Sequence, residues 1–274
     1  NYKDFIETAE DHDATELLRN PQTLTLLLNV FQKDGWPATK AELYEKACIN
    51  LAQEQSETHK SLTPLQLSNE KIMGAAGFIF AQLLLSNLRS IQLDGGAVNG
   101  AAKLADLASK QIPETHIRRA LSSLLFRVSS NETLEPAHRT IAEFLGAKWI
   151  TSELENNLSI RRFDTLIYGA NHIVPTSLRG LHAWVATLDK SKTNNRLKYD
   201  PYGCLRYGDV SQFSVEQVIS LLNELKSLAE YDPYFRNEDW DTKFGQGLAR
   251  KELRTEITSI ISNAETPDHL ATVV

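Results

Sequence analysis

The sequence predicts a mainly α-helical fold, and three observations carry that prediction. Apolar residues recur at three- and four-residue spacing along most of the 274 residues. Helix-start signals, Asn20-Pro21 and Thr39 among them, stand just ahead of those runs. β-like stretches are short and confined to 89–93 and to the two flanks of 129–132. These features divide the chain into a helical segment over 1–62, a mixed domain over 63–153 and an α-helical domain over 154–274.

In the first segment, Asn20 suits an N-cap and Pro21 the first helical position, with Leu24, Leu27, Leu28 and Phe31 at helical spacing behind them. Asp34-Gly35-Trp36-Pro37 breaks the pattern. Thr39 then caps a second helix carrying Leu43, Tyr44, Ala47, Cys48 and Leu51. Residues 53–64 are polar, end on Thr63-Pro64 and read as a linker. A long apolar helix follows over 68–86, then the β-like 89–93, the turn Asp94-Gly95-Gly96 and a helix around 101–109. Pro113 starts another helix, with Ile117, Leu121, Leu124 and Leu125 on one face. Phe126-Arg127-Val128 and Thr133-Leu134-Glu135, on either side of Ser129-Ser130-Asn131-Glu132, read as a hairpin. A last helix covers 139–152. That order of elements is the order of a winged helix with a small β-wing.

The third segment is helical, with amphipathic stretches at 178–188, 215–229 and 248–261 and loops at 171–176, 199–208 and 231–237. Asp200-Pro201-Tyr202 returns thirty-two residues later as Asp232-Pro233-Tyr234. The spacing suits a helical-hairpin repeat, although repeated use of Asp-Pro turns produces the same echo.

Composition narrows the function classes. With 42% hydrophobic and 23% charged residues, the chain can bury a core and is not a disordered segment. A formal net charge of −6 argues against a dedicated nucleic-acid binder, and the ten basic against seven acidic residues of 60–150 are too even to reverse that. Cys48 and Cys204 are too few and too far apart for a disulfide framework or a zinc site, so they read as packed thiols of a cytoplasmic protein. The apolar run 72–85 falls short of the roughly 20 residues that span a bilayer, so no membrane association is expected. The chain opens without Met, directly in helical pattern, which suggests a piece of a longer protein.

Catalytic motifs are missing: there is no G-x-x-x-x-G-K-S/T loop, no G-x-G-x-x-G, no H-E-x-x-H and no G-x-S-x-G. Gly95, Gly96 and Gly100 lack the lysine of a phosphate loop and read as a turn. Glu238, Asp239 and Asp241, interleaved with Trp240, read as a solvated tip rather than a cation site. Arg118, Arg119 and the wing's Arg127 are possible phosphate contacts, too few for useful nonspecific DNA binding. The strings 178–184 and 202–209, rich in glycine and aromatic residues, read as packed structural loop, with a partner surface as the alternative.

One string is more specific. Pro136-Ala137-His138-Arg139-Thr140-Ile141-Ala142-Glu143-Phe144-Leu145-Gly146-Ala147 resembles the His-Arg-x-x-x-Glu-Phe/Tyr-Leu-Ala-Ala pattern in the winged helix of NACHT-type proteins, a branch of the STAND nucleotide-switch ATPases. Leu17-Leu18-Arg19-Asn20-Pro21-Gln22-Thr23-Leu24-Thr25-Leu26-Leu27 is similar to the lid stretch of that family. Ala41-Glu42-Leu43-Tyr44-Glu45-Lys46-Ala47 resembles the helix that follows the lid. The matches occur in the family's order across about residues 15–150.

The resemblance implies a non-catalytic regulatory region: a helical lid, a winged helix and an α-helical domain downstream of an ATPase core. It implies that Pro21 contacts adenine and His138 the β-phosphate of ADP. ATP or ADP with Mg would then be bound by the intact protein, with no cofactor held by this chain alone. The partners it implies are the ATPase core of the same chain and protein partners or self-oligomers, in signalling such as antiviral defence. Two other readings stay open. One is a winged-helix DNA-binding transcription regulator; the other is a helical protein-interaction scaffold.

Overall fold

The computed structural model describes residues 2–11, 18, 24, 27–28, 31–32, 35–53, 67–93, 98–107, 112–129, 133–236 and 247–274. They form a mainly helical fold with one small four-stranded sheet. In chain order come α1 (Tyr2–Asp11), α2 (Lys40–Gln53), α3 (Asn69–Leu85), β1 (Ser90–Gln92), β2 (Ala101–Lys103), α4 (Leu104–Leu107) and α5 (Glu114–Leu121). The hairpin β3 (Phe126–Val128) and β4 (Thr133–Pro136) leads into α6 (Arg139–Asn156) and α7 (Ile160–Ile167). The remainder is α8 (Arg179–Leu188), α9 (Thr193–Leu197), α10 (Pro201–Tyr207), α11 (Val215–Tyr231), α12 (Arg254–Ser262) and α13 (Asp268–Ala271).

The chain packs as two compact units. One comprises Tyr44–Asn171 and Pro175–Leu181; the other comprises Asn1–Leu43, His172–Val174 and His182–Val274.

In the first unit, α3 and α6 form the largest helix pair. Ser68 caps α3 by accepting from the Lys71 amide at 3.4 Å, and the helix buries apolar residues around most of its circumference. Small residues let the two backbones approach. A Cβ on Gly77 would lie 2.6 Å from the Leu145 carbonyl oxygen, and one on Gly146 3.3 Å from the Ala81 nitrogen. Aromatic contacts flank the crossing: Phe78 meets Trp149 edge-on at 5.3 Å, and Phe80 stacks on Phe126 at 4.7 Å. Ion pairing of Lys148 with Glu45 (2.6 Å) ties α6 to α2. Beneath it Cys48 is fully buried, and burial first, then the Glu45 charge, push its thiol well above the ordinary value against the opposing pull of Lys148. Such a thiol is unreactive.

The sheet order is β2-β1-β4-β3. The hairpin expected from sequence is present, with Val128 opposite Leu134 and Phe126 opposite Pro136, and β4 pairs antiparallel with β1 through Ile91 and Leu134. The helix expected around 101–109 is corrected. Residues 101–103 pair parallel to β1, Ser90 opposite Ala101, and helix begins only at Leu104. Pairing with a fully buried strand overrides the helix preference of two alanines.

The second unit gathers around α11, whose N-terminus carries a capping box between Ser214 and Gln217. Leu221, Leu222 and Leu225 pack with Leu197, Tyr202, Leu205, Phe213, Leu253 and Ile260. Residues 199–208, expected as a loop, instead contain α10. Asp200 caps it by accepting from the Gly203 amide at 2.9 Å, and Pro201 occupies its first turn. Gly203 is required there, since a Cβ would lie 1.9 Å from Asp200 Oδ2. Asp232, the other copy of the Asp-Pro-Tyr echo, stands at the end of α11 and accepts from the Tyr234 amide at 3.0 Å. One copy starts a helix and the other ends one, so the echo is not a structural repeat. Cys204 is buried, as expected of a packed thiol.

Two glycines on α3 give a direct test of the helix crossing. Gly74 has no neighbour within 4 Å of a would-be Cβ. Gly74→Ala is expected to stabilise by about 0.5–1 kcal/mol through helix propensity. Gly77→Ala is expected to destabilise by about 1–3 kcal/mol because its methyl meets backbone. Urea denaturation of the two variants should give midpoints displaced in opposite directions.

Candidate functional site

The candidate site lies where the β3–β4 hairpin hands over to α6. The hairpin is held by Ser129 N–H donating to the Thr133 carbonyl (2.7 Å) and by the exposed cross-strand pair Arg127–Glu135 (2.8 Å). Ala137 N–H donates to the Leu125 carbonyl at 2.9 Å, which fixes the exit from β4. His138 follows in extended conformation (φ −141°, ψ 134°) as the N-cap of α6, and its carbonyl accepts from the Ala142 amide at 3.0 Å.

His138 makes no side-chain cap to α6, and the first turn of that helix holds no acidic residue. The positive pole of a five-turn helix is therefore not offset by a carboxylate in that turn. The ring is half-buried. Burial first, then the nearby Arg127 charge, lower its pKa below the ordinary 6.5, so near neutral pH it is a neutral imidazole with one N–H to donate. Arg127, whose charge acts on the imidazole, is itself paired with Glu135.

The other charged residues of the same string work differently. Arg139 Nε pairs with Glu143 Oε1 at 2.8 Å, and its other arm donates to the Ser177 carbonyl. Glu143 is buried and occupies the space a side chain at position 180 would need: a Cβ on Gly180 would lie 2.1 Å from Glu143 Oε2. Arg139 and Glu143 thus anchor the 175–181 segment and hold the start of α6 rigidly. The sequence marks Gly180 as unusual, but only the fold supplies the reason.

The candidate DNA-facing cations are engaged within the protein. Arg118 pairs with Glu114 at 2.7 Å, and Arg127 with Glu135. Arg119 turns inward, 6% exposed, where its Nη1 donates to Ser122 Oγ at 3.2 Å and burial lowers its pKa. Pro21, Gly95, Gly96 and the Glu238–Asp239–Asp241 cluster lie outside the described residues. Among the described residues no group of His, Cys, Asp and Glu could hold a metal ion, and no helix is long and apolar enough to cross a membrane.

No family model, curated protein or solved structure matches the chain.

Two outcomes are expected. Gly180→Ala should cost about 1–3 kcal/mol by overpacking, and much less in a Glu143→Ala background, because the clash is with that carboxylate; a double-mutant cycle in urea reads the coupling. His138 is harder to protonate folded than unfolded, so its protonation weakens folding as pH falls below about 6.5 and contributes nothing well above it. Thermal melts from pH 7.5 to about 5 should show His138→Gln losing less stability than the unaltered protein.

Proposed function

We propose that this chain is the non-catalytic regulatory region of a STAND/NACHT-like nucleotide-switch ATPase, in which His138 reads the phosphates of a bound nucleotide. The observation that carries the reading is the position of His138: it stands where the hairpin passes into α6, half-buried and with a neutral imidazole near neutral pH. The resemblance of 136–147 to the family's winged-helix motif supports it independently. Arg139 and Glu143 hold the 175–181 segment, a structural role distinct from the one proposed for His138.

In this reading ADP and Mg belong to an ATPase core elsewhere in the intact protein, and this chain contributes one contact. A switch requires that the contact differ between states. His138 satisfies that requirement when the wing unit swings toward or away from the nucleotide, coupling its state to sensing and oligomerisation in a cytoplasmic signalling protein, antiviral defence among the possibilities. Pro21 is the adenine-side contact in the same scheme. The winged-helix DNA-binding regulator is less well supported, because Arg118, Arg119 and Arg127 already have partners in the protein.

The test uses the intact protein. Its gene must encode a G-x-x-x-x-G-K-S/T loop upstream of this chain, and its absence ends the proposal. Where the loop is present, His138→Ala should speed release of a fluorescent ADP analogue roughly tenfold, the worth of one hydrogen bond to a charged phosphate. Stopped-flow displacement measures it. An unchanged release rate removes His138 from the switch.

A further inference from the structure

A tight turn leads into β2. Val98 N–H donates to the Gln92 side-chain oxygen at 3.1 Å, and Ala101 N–H donates to the Val98 carbonyl at 3.2 Å. The Gly100 carbonyl accepts from Arg89 N–H at 2.9 Å. The turn is therefore fastened on both sides, to β1 and to the residue before it.

Between those anchors lies the Asn99–Gly100 peptide. Among the described residues, neither its N–H, nor its C=O, nor the Asn99 side-chain amide makes a hydrogen bond. Asn99 is exposed. Gly100 has φ +79°, with nothing within 4 Å of where a Cβ would stand. Asn-Gly occurs nowhere else in the sequence.

These features suit one reaction. A backbone nitrogen attacks the side-chain carbonyl of the asparagine before it when the approach is open and the peptide plane can rotate. Glycine lacks the Cβ that hinders the approach, and it follows the rotation into either sign of φ. Rotating this peptide breaks no hydrogen bond, because none holds it.

We propose that Asn99 is a self-modification site, converted with water to aspartate and isoaspartate. The Gly100 nitrogen loses its proton to solvent base and forms a bond to Asn99 Cγ. The Cγ–Nδ2 bond breaks, the leaving nitrogen takes up a proton and departs as ammonia, and a five-membered succinimide remains. Water then opens the ring. Addition at Cγ restores the backbone and gives aspartate; addition at the backbone carbonyl leaves the chain running through Cγ and gives isoaspartate.

Both products add a negative charge to the turn. Isoaspartate also lengthens the backbone by one carbon, between Val98 and the carbonyl that Arg89 N–H meets. That carbonyl adjoins β2, whose pairing with β1 spans only three residues, so the pairing loosens there. The inference is independent of the nucleotide reading.

The test is to hold the folded chain at about pH 8.5 in heavy-oxygen water, digest it and sequence the peptides by mass spectrometry. Residue 99 is expected to take up one heavy oxygen faster than any other asparagine, and roughly tenfold more slowly at about pH 6.5, where less of the amide is deprotonated. Asn99→Gln, which would have to close a six-membered ring, should abolish the uptake. In the isoaspartate form, hydrogen exchange of the Arg89 amide should quicken at least about threefold. Conversion at residue 99 in urea but not in the folded chain, conversion no faster than at the other asparagines, or unchanged exchange at Arg89 would each overturn the proposal.

Discussion

In the unit that contains the hairpin, α3 and α6 cross where the Leu145 carbonyl lies in the space a Cβ on Gly77 would fill. Everything built on α6 inherits its position from that crossing. The N-terminus of the helix, with His138 at its cap, sits where it does because the helix body is pressed against α3 and flanked by Phe78 on Trp149. A side chain at position 77 would push the helices apart and move the hairpin–helix junction with them.

A second constraint acts at the start of the same helix. Arg139 and Glu143, one turn apart on α6, reach the 175–181 segment, and Gly180 yields its side-chain space to the carboxylate. With Glu143 buried and Arg139 mostly exposed, the pair contributes little net stability, but it fixes geometry. Here it fixes the first turn of α6. The string 138–143 thus combines an orienting pair with the imidazole proposed to meet a ligand, which a motif comparison alone treats as equivalent positions.

The second unit shows how local chemistry and packing divide the work. Asp200-Pro201-Tyr202-Gly203 contains an N-cap, a proline at the first helical position and a glycine that admits the capping carboxylate. Glycine and aromatic content suggests a loop, whereas the order of the residues specifies a helix start. The same three residues at 232–234 follow a completed helix, and the Asp side chain closes a turn instead. Identical tripeptides act differently because the preceding chain either has or has not already used its hydrogen-bonding capacity.

Much of the architecture was legible without coordinates. The long apolar helix over 68–86, the 126–136 hairpin and the helix behind it follow from periodicity, caps and turn residues, all of which act within a few residues along the chain. The packed thiols follow from the spacing of two cysteines. What only tertiary structure decided involves partners distant in sequence. Residues 101–103 became strand by pairing with 90–92, Arg119 turned inward, Glu143 came to rest over Gly180, and Arg236 met Thr272. Each depends on side chains brought together by folding, and a linear pattern holds no record of which distant residue will fill a given space.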